Sequence, residues 1–540
     1  MAAEFKNEFT YRQYLGEGKE AEFDRLFDQA VEEVKSRELG KRFPMYINGK
    51  EVFSGQEIIE YSPIDKTLVG KFSRGTREHA KQAIDAAKSA FESWSNMDYR
   101  ERVAIFNKAA DIFARDKFRI SAAMSIENGK TRYESAGEVD EAIDFLHYYS
   151  LEMLKNKGYV RRIKLSGTSS KVDAGFQGAP GDGERITISM KPYGVFGVIA
   201  PFNFPISIST GMSTGALITG NTVVFKPSST DNMTMLTGLK IYQIFKEAGV
   251  PDGVFNYVSG PGSEVGDELV MSLKVSGIVY TGSKSTGLSM IKKNYDAGMQ
   301  KVFVVEMGGK NPAIVSSDAD LDAAVEGIAG AAFGYCGQKC SACSRVYVHE
   351  SVKEQFLSKL VDKIRTFRIG NPLKKENYMG PLISEKALQR YKESIDWARK
   401  SGKILHGGNV ANVGLDGAYV EPTIVEMDHG NRLFHEELFV PILVVDSYRN
   451  FDEAMQKAND VEYGLTAGLY SKKNSEIKDF SKRIQAGVVY INRRISATTG
   501  AIVGAHTFVG WKGSGLTGKG TGSRFYLEQF MREQSLAQAK

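Results

Sequence analysis

The sequence contains few cysteines and no long apolar run, and these shortages exclude several classes of protein. Three cysteines in 540 residues cannot form the disulfide framework of a small secreted domain. No segment approaches the ~18 uninterrupted apolar residues of a membrane-spanning helix, and the first residues lack the basic and apolar regions of a signal peptide. We therefore expect a cytoplasmic protein that does not associate with membranes.

A large excess of one charge is also absent. The 70 basic and 65 acidic residues leave a formal net charge of +5, with no basic block and no acidic tail, so we expect no nucleic-acid partner. The seven histidines form no H-x-x-x-H pair, and their spacing gives no reason to expect a metal. The remaining composition is that of a globular protein, and the length favours two or more domains.

Strand-like and helical patterns alternate over two long regions, residues 194–305 and 302 to about 490. This alternation is typical of α/β domains with parallel, doubly wound sheets. In the first region the candidate strands are 195–200, 222–225, 254–258 and 277–280. The Asn48-Gly49 pair predicts a hairpin, and residues 76–149 have the apolar spacing of helices.

Two segments could together supply a nucleophile and a base. Glu306 stands in the run Val-Glu-Met-Gly-Gly-Lys-Asn-Pro, and Cys340 follows in Gly-Gln-Lys-Cys-Ser. A thiolate is a strong nucleophile toward a carbonyl carbon, and a carboxylate can activate the water that hydrolyses the resulting thioester. A small, inert, buried cysteine explains the Cys340 segment equally well, so this pattern alone leaves both interpretations open.

Other polar residues occur where predicted strands end. Asn203 lies between two prolines in Ala-Pro-Phe-Asn-Phe-Pro and could donate to an oxyanion, although a turn capped by asparagine is the simpler interpretation. Lys226 ends a strand, and Thr-Gly-Ser at 281–283 leads from a strand into a helix, whose N-terminus could bind a pyrophosphate. Taken singly, each is an ordinary connection between a strand and a helix.

The three cysteines allow a different interpretation. Cys336, Cys340 and Cys343 have the C-x3-C-x2-C spacing of a radical-type iron–sulfur cluster. Such a motif usually opens the first loop of a barrel, whereas this one lies deep in the chain, and a cluster leaves Glu306 and Asn203 without a role. An iron–sulfur protein is therefore the distant alternative.

Taken in order, these segments make the chain resemble the aldehyde dehydrogenase superfamily. The matching motifs are FNFP, a strand ending in lysine, YTGS, EMGGKNP, GQKCSA, HEELFVP and VGWKGSG, spread from about residue 46 to residue 533. The resemblance implies NAD(P)-dependent oxidation of an aldehyde to a carboxylate through a thioester on Cys340. It also implies that Glu306 is the general base and that Asn203, with the backbone N–H of Cys340, forms the oxyanion hole.

The same resemblance implies a set of cofactor-binding residues. They are Lys226, Ser229, Gly282, Ser283, Glu437 and Phe439. Lys226 and Glu437 would hold the riboses, while Ser283 would hold the pyrophosphate. Many NAD-preferring relatives carry, at the position of Ser229, a glutamate that repels a 2′-phosphate. The serine here predicts that NADP is accepted besides NAD.

Within the superfamily the chain is most similar to the 1-pyrroline-5-carboxylate dehydrogenases, which oxidise glutamate 5-semialdehyde to glutamate. The likeness is carried by E-A-I-D-F at 141–145, A-F-G-Y at 332–335 and T-G-A-I-V-G at 499–504. The residues that it implies for the substrate are Glu141, Phe204, Ser341, Gly500, Ala501 and Phe508. Another semialdehyde, such as succinate semialdehyde, is the alternative, and a basic side chain in the substrate pocket would favour it.

The resemblance also implies how the chain is divided. The expected parts are a Rossmann-like cofactor domain (1–160 and 190–305), an α/β catalytic domain (306–490) and a bridging and oligomerisation hairpin (161–189 and 491–540). An exposed hairpin and an extended tail offer edge strands that another subunit could cover, so we expect a homo-oligomer. The other expected partner is a small-molecule aldehyde.

Overall fold

The computed structural model describes residues 7–8, 10–164, 185–495 and 502–538. In these residues there are two seven-stranded sheets, and each packs against helices. The buried side chains of these sheets and helices form two large hydrophobic cores. This arrangement confirms the α/β fold with parallel sheets that the alternation of strands and helices predicts. None of the described helices is both long enough and apolar enough to cross a membrane.

The helices follow the apolar spacing of the sequence, and several begin at a residue whose side chain accepts from the first turn, such as Asp98 and Thr131. In chain order the described α-helices are α1 Tyr11–Gly16, α2 Glu20–Arg37, α3 Arg77–Asn96, α4 Tyr99–Arg115, α5 Lys117–Asn128, α6 Arg132–Lys155, α7 Ser207–Ile218, α8 Met235–Ala248, α9 Asp267–Met271, α10 Lys284–Asp296, α11 Leu321–Phe333, α12 Lys353–Arg365, α13 Glu385–Ser401, α14 Phe451–Asn459 and α15 Asn474–Arg483.

The strands are short and lie between these helices. In chain order the described strands are β1 Lys41–Phe43, β2 Met45–Ile47, β3 Lys50–Val52, β4 Glu57–Tyr61, β5 Leu68–Ser73, β6 Val160–Lys164, β7 Arg185–Pro192, β8 Val195–Ile199, β9 Thr222–Lys226, β10 Phe255–Tyr257, β11 Val275–Gly282, β12 Val302–Met307, β13 Asn311–Val315, β14 Cys343–His349, β15 Lys403–His406, β16 Thr423–Glu426, β17 Ile442–Tyr448, β18 Tyr463–Gly464, β19 Thr466–Tyr470, β20 Val488–Ile491, β21 Trp511–Lys512 and β22 Met531–Gln538. The four strands predicted between residues 195 and 280 are present as β8, β9, β10 and β11.

The first sheet has the strand order β12-β11-β8-β9-β10-β2-β3. Neighbours from β12 to β10 are parallel, and the β2–β3 hairpin adds two antiparallel strands at one edge. This hairpin turns at Asn48 and Gly49, which both have positive φ, as the Asn-Gly pair predicts. The carboxyl ends of β9 and β11 place Lys226 and Gly282 at the edge where doubly wound sheets bind ligands.

The second sheet has the order β15-β16-β17-β14-β13-β19-β20, and only its β15–β16 pair is antiparallel. The strands β13, β14 and β17 are almost entirely buried. Such strands read as continuous apolar runs because helices cover both faces of the sheet. The sheet therefore gives a rigid support to the loop that precedes β14.

A third, antiparallel sheet joins distant parts of the chain. Its central strand β7 pairs with β6 on one side and with β22, near the C-terminus, on the other. The Gly- and Ser-rich segment 166–182 lies outside the described residues. Strand β7 extends to Pro192 and β12 to Met307, so the domain limits drawn after residues 189 and 305 fall inside strands. The division into domains stays a prediction.

Candidate active site

Cys340 and Glu306 meet where the two large sheets adjoin. Glu306 is the penultimate residue of β12 in the first sheet, and Cys340 lies three residues before β14 in the second. The Cys340 thiol donates to Oε1 of Glu306 across 3.3 Å. The fold thus brings into direct contact the two groups that the sequence indicates as nucleophile and base.

The surroundings shift the proton affinities of both groups. Burial raises the pKa of Glu306 to about 7, although the hydrogen bond from Cys340 acts in the opposite direction. Burial, followed by the neighbouring Glu306 carboxylate, raises the pKa of the Cys340 thiol well above its ordinary value. The thiol therefore keeps its proton at neutral pH until a base removes it. Glu306, which titrates near neutrality, is suited to that task.

The chain ahead of Cys340 has an unusual backbone conformation. Tyr335, Cys336 and Gly337 all lie in the left-handed region, with φ of 50°, 53° and 66°. For a residue other than glycine this conformation costs roughly 1–3 kcal/mol, so the surroundings must hold it in place. One such anchor is the Tyr335 hydroxyl, which donates to the carbonyl of Asn128 across 3.0 Å. The strained turn orients the loop that presents Cys340.

Asn311, which the sequence analysis did not single out, fastens this loop to the second sheet. Its Nδ2 donates to the carbonyls of Cys340 (2.7 Å) and Ala342 (2.9 Å). Its Oδ1 accepts from the backbone N–H of Thr466 (2.9 Å), so one buried amide uses both of its ends. The only signal in the sequence is its place in the EMGGKNP motif, between the base and the nucleophile.

The three cysteines do not form an iron–sulfur site. Each makes a separate contact: Cys336 donates to the carbonyl of Gly380, Cys343 to that of Arg345, and Cys340 to Glu306. In the described part of the chain their sulfur atoms do not converge as a group of metal ligands. The iron–sulfur interpretation therefore has no support, since the C-x3-C-x2-C spacing falls on a strained turn and a strand start where the three thiols have separate partners.

Asn203 is positioned by a loop that helix α6 holds from behind. This buried residue lies between β8 and α7, and it lines the same cleft as Cys340. Just beyond it, Glu138 of α6 accepts from the backbone N–H groups of Ile206 (2.7 Å) and Ser207 (3.2 Å). A carboxylate at the first N–H groups of a helix satisfies donors that have no partner within the helix. Glu138 therefore fixes the start of α7 and the loop that carries Asn203.

A buried ion pair completes this support. The ammonium group of Lys130 pairs with Glu138, and both side chains are fully buried. The same ammonium lies 3.5 Å from the ring centroid of Phe204, a cation–π contact that binds the aromatic ring next to Asn203 in sequence. Glu141 follows on the same helix, and burial raises its pKa to about 7.

A cleft of about 760 Å³ opens beside Cys340 and Asn203 at the carboxyl edge of the first sheet. Most residues expected to bind the cofactor line it, namely Lys226, Gly282, Ser283, Glu437 and Phe439. Ser283 is the N-cap of α10, so the anion-binding end of that helix lies at the cleft. Its charged lining residues are Lys226, Lys293, Arg390, Asp267 and Glu437. A site with one more positive than negative charge and a helix N-terminus fits a dinucleotide with two phosphates.

Glu437 and Phe439 close the cleft near Cys340. Oε1 of Glu437 accepts from the backbone N–H of Gly309 across 2.7 Å. Glycine is required at Gly308, where φ is +40° and a Cβ atom would come within 2.4 Å of the Glu437 carboxylate. Phe439 has a φ of 58°, and its ring lies edge-on to that of Phe202, with centroids 5.8 Å apart. These two aromatic rings form one wall of the cleft.

Ser229 was expected to line the cleft and does not, whereas Arg390 lines the cleft although the sequence did not indicate it. Ser229 is buried and does not line the cleft, and its hydroxyl donates to the carbonyl of Gly260 and lies 3.2 Å from Nζ of Lys226. Arg390, on α13, does line the cleft, and its buried Nε has no hydrogen-bond partner among the described residues. None of the sequence motifs includes this arginine, and α13 lies about fifty residues beyond Cys340 in the sequence. It is a further candidate for binding the cofactor.

The residues expected to contact the substrate are described only in part. Gly500 and Ala501 lie outside the described residues. Phe508 borders a small cavity that Glu306 also lines, and it does not line the larger cleft. Ser341 is buried beside Cys340. Phe508 therefore lies on the Glu306 side of the nucleophile.

Comparison with known proteins confirms the resemblance to aldehyde dehydrogenases that the sequence motifs indicate. The model of the aldehyde dehydrogenase family matches residues 52–536. A 1-pyrroline-5-carboxylate dehydrogenase of Halalkalibacterium halodurans is 37% identical over 521 residues, which are 95% of this chain and 96% of that protein. The structure of a Thermus 1-pyrroline-5-carboxylate dehydrogenase with bound NAD is similar over the full length of both chains, with 32% identity and a TM-score of 0.89.

A larger protein contains a similar region. Proline utilization A from Bdellovibrio bacteriovorus has 34% identity and a TM-score of 0.89, over 99% of this chain but only 53% of that one. This chain thus spans about half of the larger protein. The family model over residues 52–536 and the relatives similar along nearly their whole length establish that the chain belongs to the aldehyde dehydrogenase family, whose cofactor is NAD or NADP.

Proposed function

We propose that the protein oxidises L-glutamate 5-semialdehyde, the open form of 1-pyrroline-5-carboxylate, to glutamate with NAD or NADP. The observation that carries the chemistry is the 3.3 Å contact between the Cys340 thiol and the Glu306 carboxylate beside the cleft. The substrate is supported by the names of the relatives, which are 1-pyrroline-5-carboxylate dehydrogenases similar along nearly their whole length.

The side chains have the following roles in this reaction. Glu306 takes the proton of Cys340, and the thiolate attacks the aldehyde carbon, so that the carbonyl oxygen becomes an oxyanion. The amide of Asn203 and the backbone N–H of Cys340 stabilise this oxyanion. A nicotinamide cofactor held in the cleft by Lys226, Ser283 and Glu437 would supply the acceptor for the hydride that the substrate carbon loses, which leaves Cys340 carrying a thioester. Glu306 loses to solvent the proton that it took from Cys340, and its carboxylate then takes a proton from the water that attacks the thioester; this proton goes to the departing Cys340 sulfur, which restores the thiol as the carboxylic acid is released.

The substrate itself is held by the residues that the family resemblance implies. Ser341 and the backbone of Gly500 and Ala501 receive the α-carboxylate, and Phe204 and Phe508 flank the aliphatic part. The carboxylate of Glu141 meets the amino group. The cation next to Phe204 is already paired with a carboxylate, so this part of the site does not favour succinate semialdehyde.

Formation of reduced nicotinamide tests the substrate assignment. Purified protein is supplied with NAD or NADP and with pyrroline-5-carboxylate, succinate semialdehyde or simple aliphatic aldehydes, and Cys340→Ser is the control. We expect the highest kcat/KM with pyrroline-5-carboxylate and no turnover in the control. Turnover of simple aliphatic aldehydes alone would agree with aldehyde oxidation through Cys340 and would contradict glutamate 5-semialdehyde as the substrate.

Both cofactors are accepted because Ser229, which does not itself line the cleft, lies 3.2 Å from Nζ of the cleft residue Lys226 and carries no charge. A carboxylate there would repel the 2′-phosphate of NADP, whereas Ser229 is neutral and its hydroxyl contacts Gly260. Ser229→Glu is expected to raise the KM for NADP at least about tenfold relative to that for NAD. Ser229→Gln has the same size without the charge and is expected to keep the original ratio. Equal effects of the two substitutions would show that bulk, not charge, decides.

The third sheet provides the surface for a homo-oligomer. Strands β6 and β22 are its edges, and most residues of both are exposed, including Leu536 at 58%. Exposed edge strands are surfaces that natural proteins usually cover. The two large sheets and this third sheet also support the proposed division of the chain into a cofactor domain, a catalytic domain and a bridging part. Light scattering on the intact protein tests the assembly, and a monomeric mass would contradict it.

A further inference from the structure

Two histidines and an aspartate lie close together beside the second sheet, and none of them lines the cleft next to Cys340. His429 and His435 flank a short turn that follows β16, and Asp460 directly follows α14. Nε2 of His429 lies 3.0 Å from Oδ2 of Asp460, and the ring centroids of the two histidines are 5.0 Å apart. One nitrogen of each ring and one carboxylate oxygen all lie within 4.8 Å of one another.

We propose that His429, His435 and Asp460 bind a divalent transition-metal ion of the Zn²⁺ type. Two imidazoles and one carboxylate are a ligand set that such ions accept, with the remaining positions filled by water. Ligand atoms around such an ion are about 3–3.5 Å apart, given metal–ligand bonds of about 2.1 Å. The His429–Asp460 pair already has this spacing, and only the second histidine must move closer.

The ring orientations are fixed by neighbouring groups. Nδ1 of His429 lies 2.9 Å from the buried hydroxyl of Tyr347, and Nε2 of His435 lies 3.1 Å from the carbonyl oxygen of His429. Metal-binding histidines usually have a second hydrogen bond of this kind, which sets the tautomer and the angle of the ring. For His435 this contact leaves Nδ1 free to bind the metal. For His429 the metal takes Nε2, so that Nδ1 carries the proton and donates to the Tyr347 hydroxyl.

Access and local charge determine how strongly the metal binds. The Asp460 side chain is 71% exposed, so an ion enters from solvent and the carboxylate can rotate toward it. The nearby guanidinium of Arg345 opposes a cation, because it donates not only to the carbonyls of Lys310 and Ala458 but also, across 3.2 Å, to the Tyr347 hydroxyl that contacts His429. We therefore expect moderate affinity and an exchangeable ion.

The position links this site to the catalytic region. His435 is two residues before Glu437, which lines the cofactor cleft and accepts from Gly309. A bound ion would tie this segment to the end of α14 through Asp460. No part of the proposed aldehyde chemistry requires it, so the two proposals stand or fall separately.

The test is a titration of the untagged, full-length protein with Zn²⁺ and Co²⁺. The Cys340→Ser background removes the reactive thiol as a competing ligand, and calorimetry measures the stoichiometry. We expect one ion per chain and a visible Co²⁺ spectrum without a sulfur-to-metal band. His429→Gln, His435→Gln and Asp460→Asn should each weaken binding at least about tenfold, and His406→Gln, a histidine elsewhere in this domain, should leave it unchanged.

Three outcomes would overturn the proposal. They are no saturable binding up to about 1 mM, a charge-transfer band from cysteine sulfur, and affinity that the three ligand substitutions leave unchanged. Asp460→Asn changes an exposed side chain and is expected to fold normally. Unaltered thermal unfolding of this variant without metal, combined with weakened metal binding, separates loss of a ligand from loss of structure.

Discussion

The thiol of Cys340 donates to the carboxylate of Glu306 across 3.3 Å, although the two residues belong to different sheets. Glu306 comes from the carboxyl end of β12, and Cys340 from the loop that enters β14. The proposed catalytic pair is therefore assembled by the packing of the two sheets against each other. Any change that separates them should lower activity before it unfolds the protein.

The pH dependence of the reaction should report Glu306. Because burial raises the pKa of this carboxyl to about 7, the base is ionised above neutrality and increasingly protonated below it. We expect kcat/KM to fall as the pH drops through about 7. Glu306→Gln should lose about 10²–10⁴-fold in kcat and lose this acid limb. An acid limb of the same midpoint in the variant would assign it to another group.

Arg390 should contribute to cofactor binding. Its guanidinium lines the cleft with an Nε that has no partner within the described ranges, and it can donate to a ribose or phosphate oxygen. Arg390→Gln is expected to raise the KM for NAD roughly tenfold, which corresponds to about 1.4 kcal/mol. Lys392→Gln removes a charge from the exposed face of the same helix and should have no effect. Equal KM changes in both variants would point to general electrostatics instead.

The buried Lys130–Glu138 pair should matter for both stability and catalysis. Glu138→Gln leaves the buried Lys130 ammonium without its paired carboxylate, and such a change usually lowers the free energy of unfolding by about 3–5 kcal/mol. The substitution also weakens the hydrogen bonds that position the loop carrying Asn203. We expect a lower urea midpoint and a lower kcat. The exposed pair between Lys35 and Glu32 is the control, because Glu32→Gln should cost at most about 1 kcal/mol. Full activity and stability of Glu138→Gln would contradict this account.

Two buried carboxyl groups should make the protein less stable at alkaline pH. Burial, followed by the neighbouring Glu127, raises the pKa of Glu60 well above its ordinary value, and burial raises that of Glu127 to about 7. Raised pKa values stabilise the fold below the unfolded value and lose that contribution as the pH rises through the folded value. The urea midpoint should therefore fall from pH 6 to pH 9, and less steeply in Glu60→Gln. The exposed Glu57→Gln on the same strand should keep the wild-type slope.

The sequence predicts the parts of this molecule that depend on local patterns. The strands from β8 to β11, the Asn48-Gly49 hairpin and the motifs around Glu306 and Cys340 are all read from neighbouring residues. Side chains that act at a distance leave no such mark. Asn311 holds a carbonyl 29 residues away, and Glu138 caps a helix 68 residues away. The spacing of the three cysteines allowed an iron–sulfur alternative for the same reason, because spacing alone does not reveal the turn in the backbone at residues 335–337.

The histidines show the same limit. His435 lies six residues after His429, and Asp460 lies 31 residues after His429, a spacing that matches no metal motif. Only the packing of α14 against the second sheet brings them together. Spacing rules detect ligands on one helix or one loop, and they are silent about ligands that tertiary structure collects.

The most direct test of the account is to find the acyl group on Cys340. Protein turning over pyrroline-5-carboxylate with NAD is quenched in acid, digested and analysed by mass spectrometry, for the wild type and for Glu306→Gln. The account predicts a glutamyl thioester on the Cys340 peptide; in the variant it forms more slowly, because Glu306 no longer takes the thiol proton, and once formed it lasts longer, because its hydrolysis is slower. Turnover without an adduct on Cys340, or turnover that survives Cys340→Ser, would contradict it.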